Sequence, residues 1–170
     1  MDLAPFFIWL KLIHVLAALA LVLTHGASAA VAFKLRGERD RVRIGALVDL
    51  SNAYLNAFYL AFVVVLGAGI LTGIGAGYWT SGQLWIWASL IAFFAIVVGM
   101  YALATPYFRD LRHALGMATF QDMRQGIAPP PPAGDHELAA LVTSGRPVAV
   151  AAVGLLGIVL LVYLMVVKPF

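Results

Sequence analysis

Phe6 to Phe33 reads FFIWLKLIHVLAALALVLTHGASAAVAF, an apolar run interrupted only by Lys11, His14 and His25. A helix rises ~1.5 Å per residue, so roughly 20 apolar residues cross the ~30 Å hydrocarbon layer of a bilayer. The run is long enough to do so. It is too long for the core of a cleavable signal peptide, and Asp2 stands where such a peptide carries basic residues. It reads as a first membrane span retained in the mature protein. Three further stretches qualify, at about 53–76, 84–108 and 148–167. None shows the alternating polarity of barrel strands. The expected fold is all-α: a polytopic membrane protein, a four-transmembrane-helix bundle forming one membrane domain over residues 1–170.

Composition leads to the same class. Of 170 residues, 63% are hydrophobic and 11% charged, against about 25% charged in soluble domains. Such a chain cannot cover a water-facing surface with polar groups, so its solvent is lipid. The absence of cysteine excludes disulfides, thiolate metal sites, iron–sulfur clusters and covalently attached c-type haem. The net charge of +3 sits beside the spans and is no sign of nucleic-acid binding.

The connections set the expected orientation. The first holds Lys34, Arg36, Arg39, Arg41 and Arg43, and the third, residues 109–146, holds Arg109, Arg112, Arg124 and Arg146. The second, Gly77 to Gln83, holds no charge. The positive-inside rule puts the first and third connections in the cytoplasm and both termini outside, in a bacterial inner membrane. Trp9, Tyr78, Trp79, Trp85 and Trp87 then form an outer aromatic belt. The short second connection predicts a hairpin of spans two and three. In the third, Pro106 is expected to kink the end of span three. Leu111, Leu115, Ala118 and Met123 predict a short helix along the membrane surface. Pro129 to Pro132 predict a stiff spacer, Asp135 a helix cap, and Ser144 and Pro147 the start of span four.

Small residues mark where helices approach closely. Gly69, Gly73 and Gly77 recur every four residues on span two, and Gly26 and Ala30 form a patch on span one. They serve packing within the bundle or docking of another subunit.

His14 and His25 are the candidate site. Eleven residues apart, they differ by only about 20° around the helix and lie ~16 Å apart along it. Each is placed roughly 12 Å from its nearer membrane face. An ionisable side chain at that depth is a functional hypothesis by default. A neutral imidazole ligates haem iron, binds copper or passes a proton. It also hydrogen-bonds to a neighbouring helix and locks the bundle, with Thr72, Ser89, Tyr101 and Thr105 as available partners. Spans two, three and four contain no histidine, so a b-type haem needs another axial ligand. Met100 can supply a thioether at about the depth of His25. Otherwise the ligand comes from a second protomer or a neighbouring subunit, or the iron is five-coordinate. Lys11 lies three residues before His14 and can meet a haem propionate or a lipid headgroup. Asn52 and Asn56 are candidates for hydrogen bonds across helices. His113, Asp135, His136 and Glu137 read as a solvated loop, not a metal site. No nucleotide or zinc-protease motif is present.

Trp9-Leu10-Lys11-Leu12-Ile13-His14-Val15-Leu16-Ala17-Ala18 resembles the opening of a bacterial family of predicted integral membrane proteins of unknown function. The stretch Trp85 to Gly116, with Pro106-Tyr107-Phe108-Arg109-Asp110-Leu111-Arg112, is similar to that family's third span. The family is related to the CopD copper-resistance membrane domain and to the HemJ-type protoporphyrinogen oxidases. In the oxidases a first-span histidine, matching His14, is linked to b-type haem. They also carry a tryptophan and an arginine later in span one and a lysine opening a later span. Here Ala18 to Ala32 has neither tryptophan nor arginine, and span three opens Trp85-Ile86-Trp87. Three functions follow as expectations. The first is a haem-b-binding or redox-associated membrane protein built on His14, with His25 and Met100. The second is a non-catalytic accessory subunit of a larger membrane complex, or a homo-oligomer. The third is a copper or small-solute permease.

Overall fold

Asp40 opens the longest helix by accepting hydrogen bonds from the amides of Val42 and Arg43, at 2.8 and 3.3 Å. Each amide it caps is one of the orphan donors of a first helical turn. In the computed structural model, which describes residues 3–80 and 82–170, the chain forms six α-helices and, among the described residues, no strand. Asp2, used above in the signal-peptide argument, lies outside them. After a 3-10 turn at Ala4–Phe6 come α1 (Phe7–Arg36), α2 (Arg41–Gly75), α3 (Leu84–Ala114), α4 (Phe120–Gln125), α5 (Asp135–Thr143) and α6 (Arg146–Val167). α1, α2, α3 and the α5–α6 segment are each long and apolar enough to cross a membrane. The expected all-α, multi-pass bundle is what the chain forms.

Helix lengths revise the expected boundaries. α2 begins at Arg41, well before Ala53, because Asp40 caps it and Ile44 and Val48 bury its polar first turns. Its 35 residues rise ~52 Å, far more than the hydrocarbon layer needs. α3 likewise continues past Pro106 to Ala114. Pro106 forfeits one backbone hydrogen bond. Yet Tyr107, Leu111 and Ala114 share a face beyond it, and all three are buried. The expected surface helix over Leu111 to Met123 is therefore absent: Leu111 belongs to α3, and only the short α4 follows. Asp135 does not cap α5. Gly134 occupies the cap, and the Asp135 carboxylate pairs with Arg41 at 2.8 Å.

The overrunning ends of α1, α2 and α3 meet α5 in one core of Val31, Leu35, Ile44, Val48, Tyr107, Leu111, Ala114, Leu138 and Val142. Ion pairs surround it. Arg41 donates to the carbonyls of Ala133 and Ala114 as well as to Asp135, and Arg112 pairs with Asp49 at 2.8 Å. We call this the charged end. Gly116, at φ +72°, turns the chain there, and Pro132 packs so close that a Cβ on Gly116 would lie 2.9 Å from it.

The opposite end is aromatic. Tyr78 meets Trp85 edge-on at 5.3 Å, Trp79 meets Trp87 at 5.1 Å, and Lys168 lies over the rings of Tyr78 and Trp85. Between the two ends, the closest packing joins α1 to α2 and α3 to α6. The expected hairpin of spans two and three has its tight turn but little packing. Contact there includes Phe62 stacked on Phe93 at 5.1 Å and Gly73 beside Ile86.

Candidate functional site

His14 and His25 are both half-buried on α1. His14 reaches α2. Its Nδ1 lies 2.8 Å from the carbonyl oxygen of Val65. A carbonyl only accepts, so Nδ1 carries the hydrogen and donates it, and a neutral ring keeps its lone pair on Nε2. The sequence explains why the ring can reach a carbonyl inside a helix. The carbonyl of residue i points toward the turn that holds residue i+4, and at that position α2 has Gly69. A Cβ there would lie 2.9 Å from His14 Cε1. The glycine thus opens the side of α2, and the carbonyl's second lone pair takes the imidazole.

His25 reaches α6. Its ring occupies the place a Cβ on Gly154 would need, and it makes no hydrogen bond within the described residues. The shared face inferred from the eleven-residue spacing is therefore the face α1 turns to its neighbours, the upper histidine meeting α2 and the lower one α6. None of Thr72, Ser89, Tyr101 or Thr105 partners either ring. Thr72 and Ser89 instead return their hydroxyls to Ala68 and Trp85, four residues back in their own helices. Met100 is half-buried on α3. Its neighbour Gly99 faces Val153, beside the Gly154 that receives His25, so Met100 and His25 sit at a similar level of the bundle on two different helices.

The packing glycines divide. Gly69 seats His14, and Gly73 lies against Trp79 and Ile86, at 2.7 and 3.0 Å from where its Cβ would be. Gly77 is no packing residue. It follows α2 at φ +69° with no described atom within 4 Å of where a Cβ would be, and it closes the helix: Tyr78 N donates to Gly73 O at 2.9 Å and Gly77 N to Ile74 O at 3.0 Å. That doubled bond needs a left-handed residue, which glycine supplies without strain. Sequence reasoning missed Gly154 and Gly157, which receive His25 and Ile96. The signal was there, as two glycines three apart midway along span four.

The other polar candidates are either exposed or engaged in structural contacts. Asn52 and Asn56 are exposed, and the cross-helix hydroxyl pair is Ser28 with Ser51 at 3.2 Å. Lys11 is exposed. His113 Nε2 lies 2.8 Å from Asp122 Oδ2, which also accepts from the hydroxyl and the amide of Thr119. The Thr119 hydroxyl and amide, with His113, hold the Asp122 carboxyl down at about 2. Among the described residues, no group of three or more histidine, aspartate or glutamate side chains converges to hold a metal ion. His14 and His25, ~16 Å apart along one helix, cannot share an ion.

No family model, curated protein or solved structure matches the chain.

Proposed function

We propose that the protein is a small haem-b-binding or redox-associated membrane protein in which His14 is an axial ligand through Nε2. The observation that carries this reading is the Nδ1–H···O=C bond to Val65. Such a bond fixes the tautomer and the plane of a ligating imidazole and raises the basicity of its other nitrogen. It therefore fits an axial ligand. A bound haem would supply one-electron chemistry. His25 and Met100 of the same chain lie too far along the bundle to reach that iron, so a second protomer or a neighbouring subunit would complete the coordination or leave it five-coordinate, and Lys11 would meet a propionate. The first span resembles that of a family of unknown function whose HemJ-type relatives carry a haem-linked histidine at the position of His14, which supports the same residue. The charges at the ends of α1, α2, α3 and α6 support placing that end on the cytoplasmic side of a bacterial inner membrane, with both termini outside.

A second reading, a non-catalytic subunit of a larger membrane complex, is supported by Gly26 and Gly67. Both lie within spanning helices with nothing within 4 Å of a Cβ built on them, so a partner helix could approach there.

The test is an absorption spectrum of the purified protein, oxidised and then reduced, in mild detergent. The haem reading expects a Soret band, with α and β bands that sharpen on reduction. His14→Ala abolishes them while circular dichroism still reports a folded bundle. A colourless preparation from haem-replete cells overturns the reading in favour of the second. Pigment that survives His14→Ala overturns the ligand assignment.

A further inference from the structure

At the charged end, α6 begins at Arg146 with no side chain capping its first turn. The uncapped amides of a 22-residue helix carry a partial positive charge. That alone specifies nothing, but two hydroxyls beside it do. Tyr107 has no exposed surface, and among the described residues its hydroxyl has no hydrogen-bond partner. Ser144, just before the helix cap, has a buried hydroxyl that likewise has no partner among them. Buried polar groups are nearly always satisfied, so an orphan at this helix start and a second on Tyr107, which shares a core with Val142 two residues before Ser144, call for an explanation.

Arginines converge on the same place. Arg36 of α1 lies 3.5 Å from the carbonyl of Thr143, the residue before Ser144. Arg146 pairs with Asp110 at 3.0 Å, and Arg109 takes the same carboxylate at 3.2 Å. One acidic group thus stands against Arg36, Arg109 and Arg146, and the junction keeps a positive excess. Tyr107 is one helical turn from Asp110 on α3 and packs in the core with Val142 of α5.

We propose that this junction of α1, α3 and α6 binds a phosphate group, of the kind an anionic phospholipid headgroup presents. Arg36 and Arg146 supply charge, the first turn of α6 supplies amide donors, and Ser144 and Tyr107 supply the hydroxyl donors left without acceptors. The span of α6 begins here, so the site lies where headgroups meet the bundle. Basic clefts between spans at a cytoplasmic face are suited to such headgroups. The inference is independent of the haem reading.

The experiment follows the thermal midpoint of the purified full chain by circular dichroism. Short-chain phosphatidylglycerol, short-chain phosphatidylcholine and inorganic phosphate are titrated separately. Phosphatidylglycerol is expected to raise the midpoint and phosphatidylcholine to leave it nearly unchanged. Replacing Arg36→Gln and Arg146→Gln together lowers the apparent affinity for phosphatidylglycerol roughly thirtyfold. Tyr107→Phe removes only the orphan hydroxyl, so without lipid it melts at or above the unsubstituted protein and gains less from phosphatidylglycerol. If the double variant fails to fold, Tyr107→Phe decides. A midpoint raised by inorganic phosphate and not by phosphatidylglycerol keeps the site and makes its ligand the free anion. Equal responses to the two lipids without any response to phosphate, or an unaltered phosphatidylglycerol response in Tyr107→Phe, overturn the proposal.

Discussion

Midway along the bundle, the buried residues of α1 and α2 are Ala17, Ala61, Val65 and Ala68, joined by the His14–Val65 hydrogen bond and the glycine that admits it. At the charged end the same two helices bury Val31, Leu35, Ile44 and Val48, and α3 and α5 close over them. The difference follows from the solvent. Lipid tails are as apolar as leucine, so burying a large side chain between spans gains little. Helices there hold together through close approach and interhelical hydrogen bonds, which favour small residues. Beyond the hydrocarbon layer water restores the hydrophobic driving force, and a core of large side chains stabilises the assembly. One continuous pair of helices obeys both rules in turn.

The largest effect expected from this contrast is in the charged-end core. Leu111 is fully buried there, and Leu111→Ala should destabilise by about 2–5 kcal/mol. Leu23, 72% exposed on α1 within the apolar window, loses only lipid contact, and Leu23→Ala should fall within about 0.5 kcal/mol of the unsubstituted protein. Unfolding in mixed micelles with rising denaturing detergent compares them. Equal losses at the two sites would mean that the core at the charged end is also lipid-solvated.

The next effect tests close approach inside the spans. A methyl group on Gly154 overlaps the His25 ring, whereas one on Gly67 meets nothing within 4 Å. Gly154→Ala should cost about 1–3 kcal/mol as overpacking, while Gly67→Ala should be neutral or stabilising by up to ~1 kcal/mol through helix propensity. Adding His25→Ala to Gly154→Ala should recover most of the loss. Without that recovery, the ring is not what the glycine accommodates.

What the sequence made legible follows the same division. Apolar runs reveal spans, so the four crossings and the all-α class could be read directly. Runs do not reveal where a helix continues into water. The first turns of α2 carry Arg41, Arg43 and Asp49, and Pro106 interrupts α3, so both extensions read as loop. Their signals were subtler: the Asp40 cap, and the Tyr107, Leu111, Ala114 spacing beyond the proline. At the candidate site, the spacing of His14 and His25 implied a common face, and the two rings meet different helices, α2 and α6. It could not give their partners. A backbone carbonyl bared by Gly69 leaves no side-chain signature in α2, and the hydroxyls that seemed available are engaged within their own helices. Gly77 fitted the packing rhythm of Gly69 and Gly73 but serves the turn, because periodicity alone does not distinguish a glycine within a helix from one just past its end.

The smallest effect concerns the water-exposed side of the charged end, where electrostatics replaces packing. Asp122 ties α4 to α3 by accepting from Thr119 and from His113. Its carboxyl is held at about 2, below the ordinary 3.8, chiefly by the Thr119 hydroxyl. A carboxyl depressed on folding contributes stability that is present above its unfolded value and is lost as pH falls through the folded one. The thermal midpoint should therefore decline modestly as pH drops from about 4 to about 2, and Asp122→Asn should remove that part of the slope. A slope unchanged in Asp122→Asn would assign the acid sensitivity to other groups, such as the Asp49–Arg112 and Asp135–Arg41 pairs. The spans carry no carboxyl between the two ends to titrate from pH ~4 to ~2, so over that range acid should loosen the charged end and leave the His14–Val65 contact in place. An acid-induced exposure of Met117 or Leu115 to chemical labelling, with Ala17 and Ala68 still protected from lipid-phase labels, would place the weakness where water, not lipid, is the solvent.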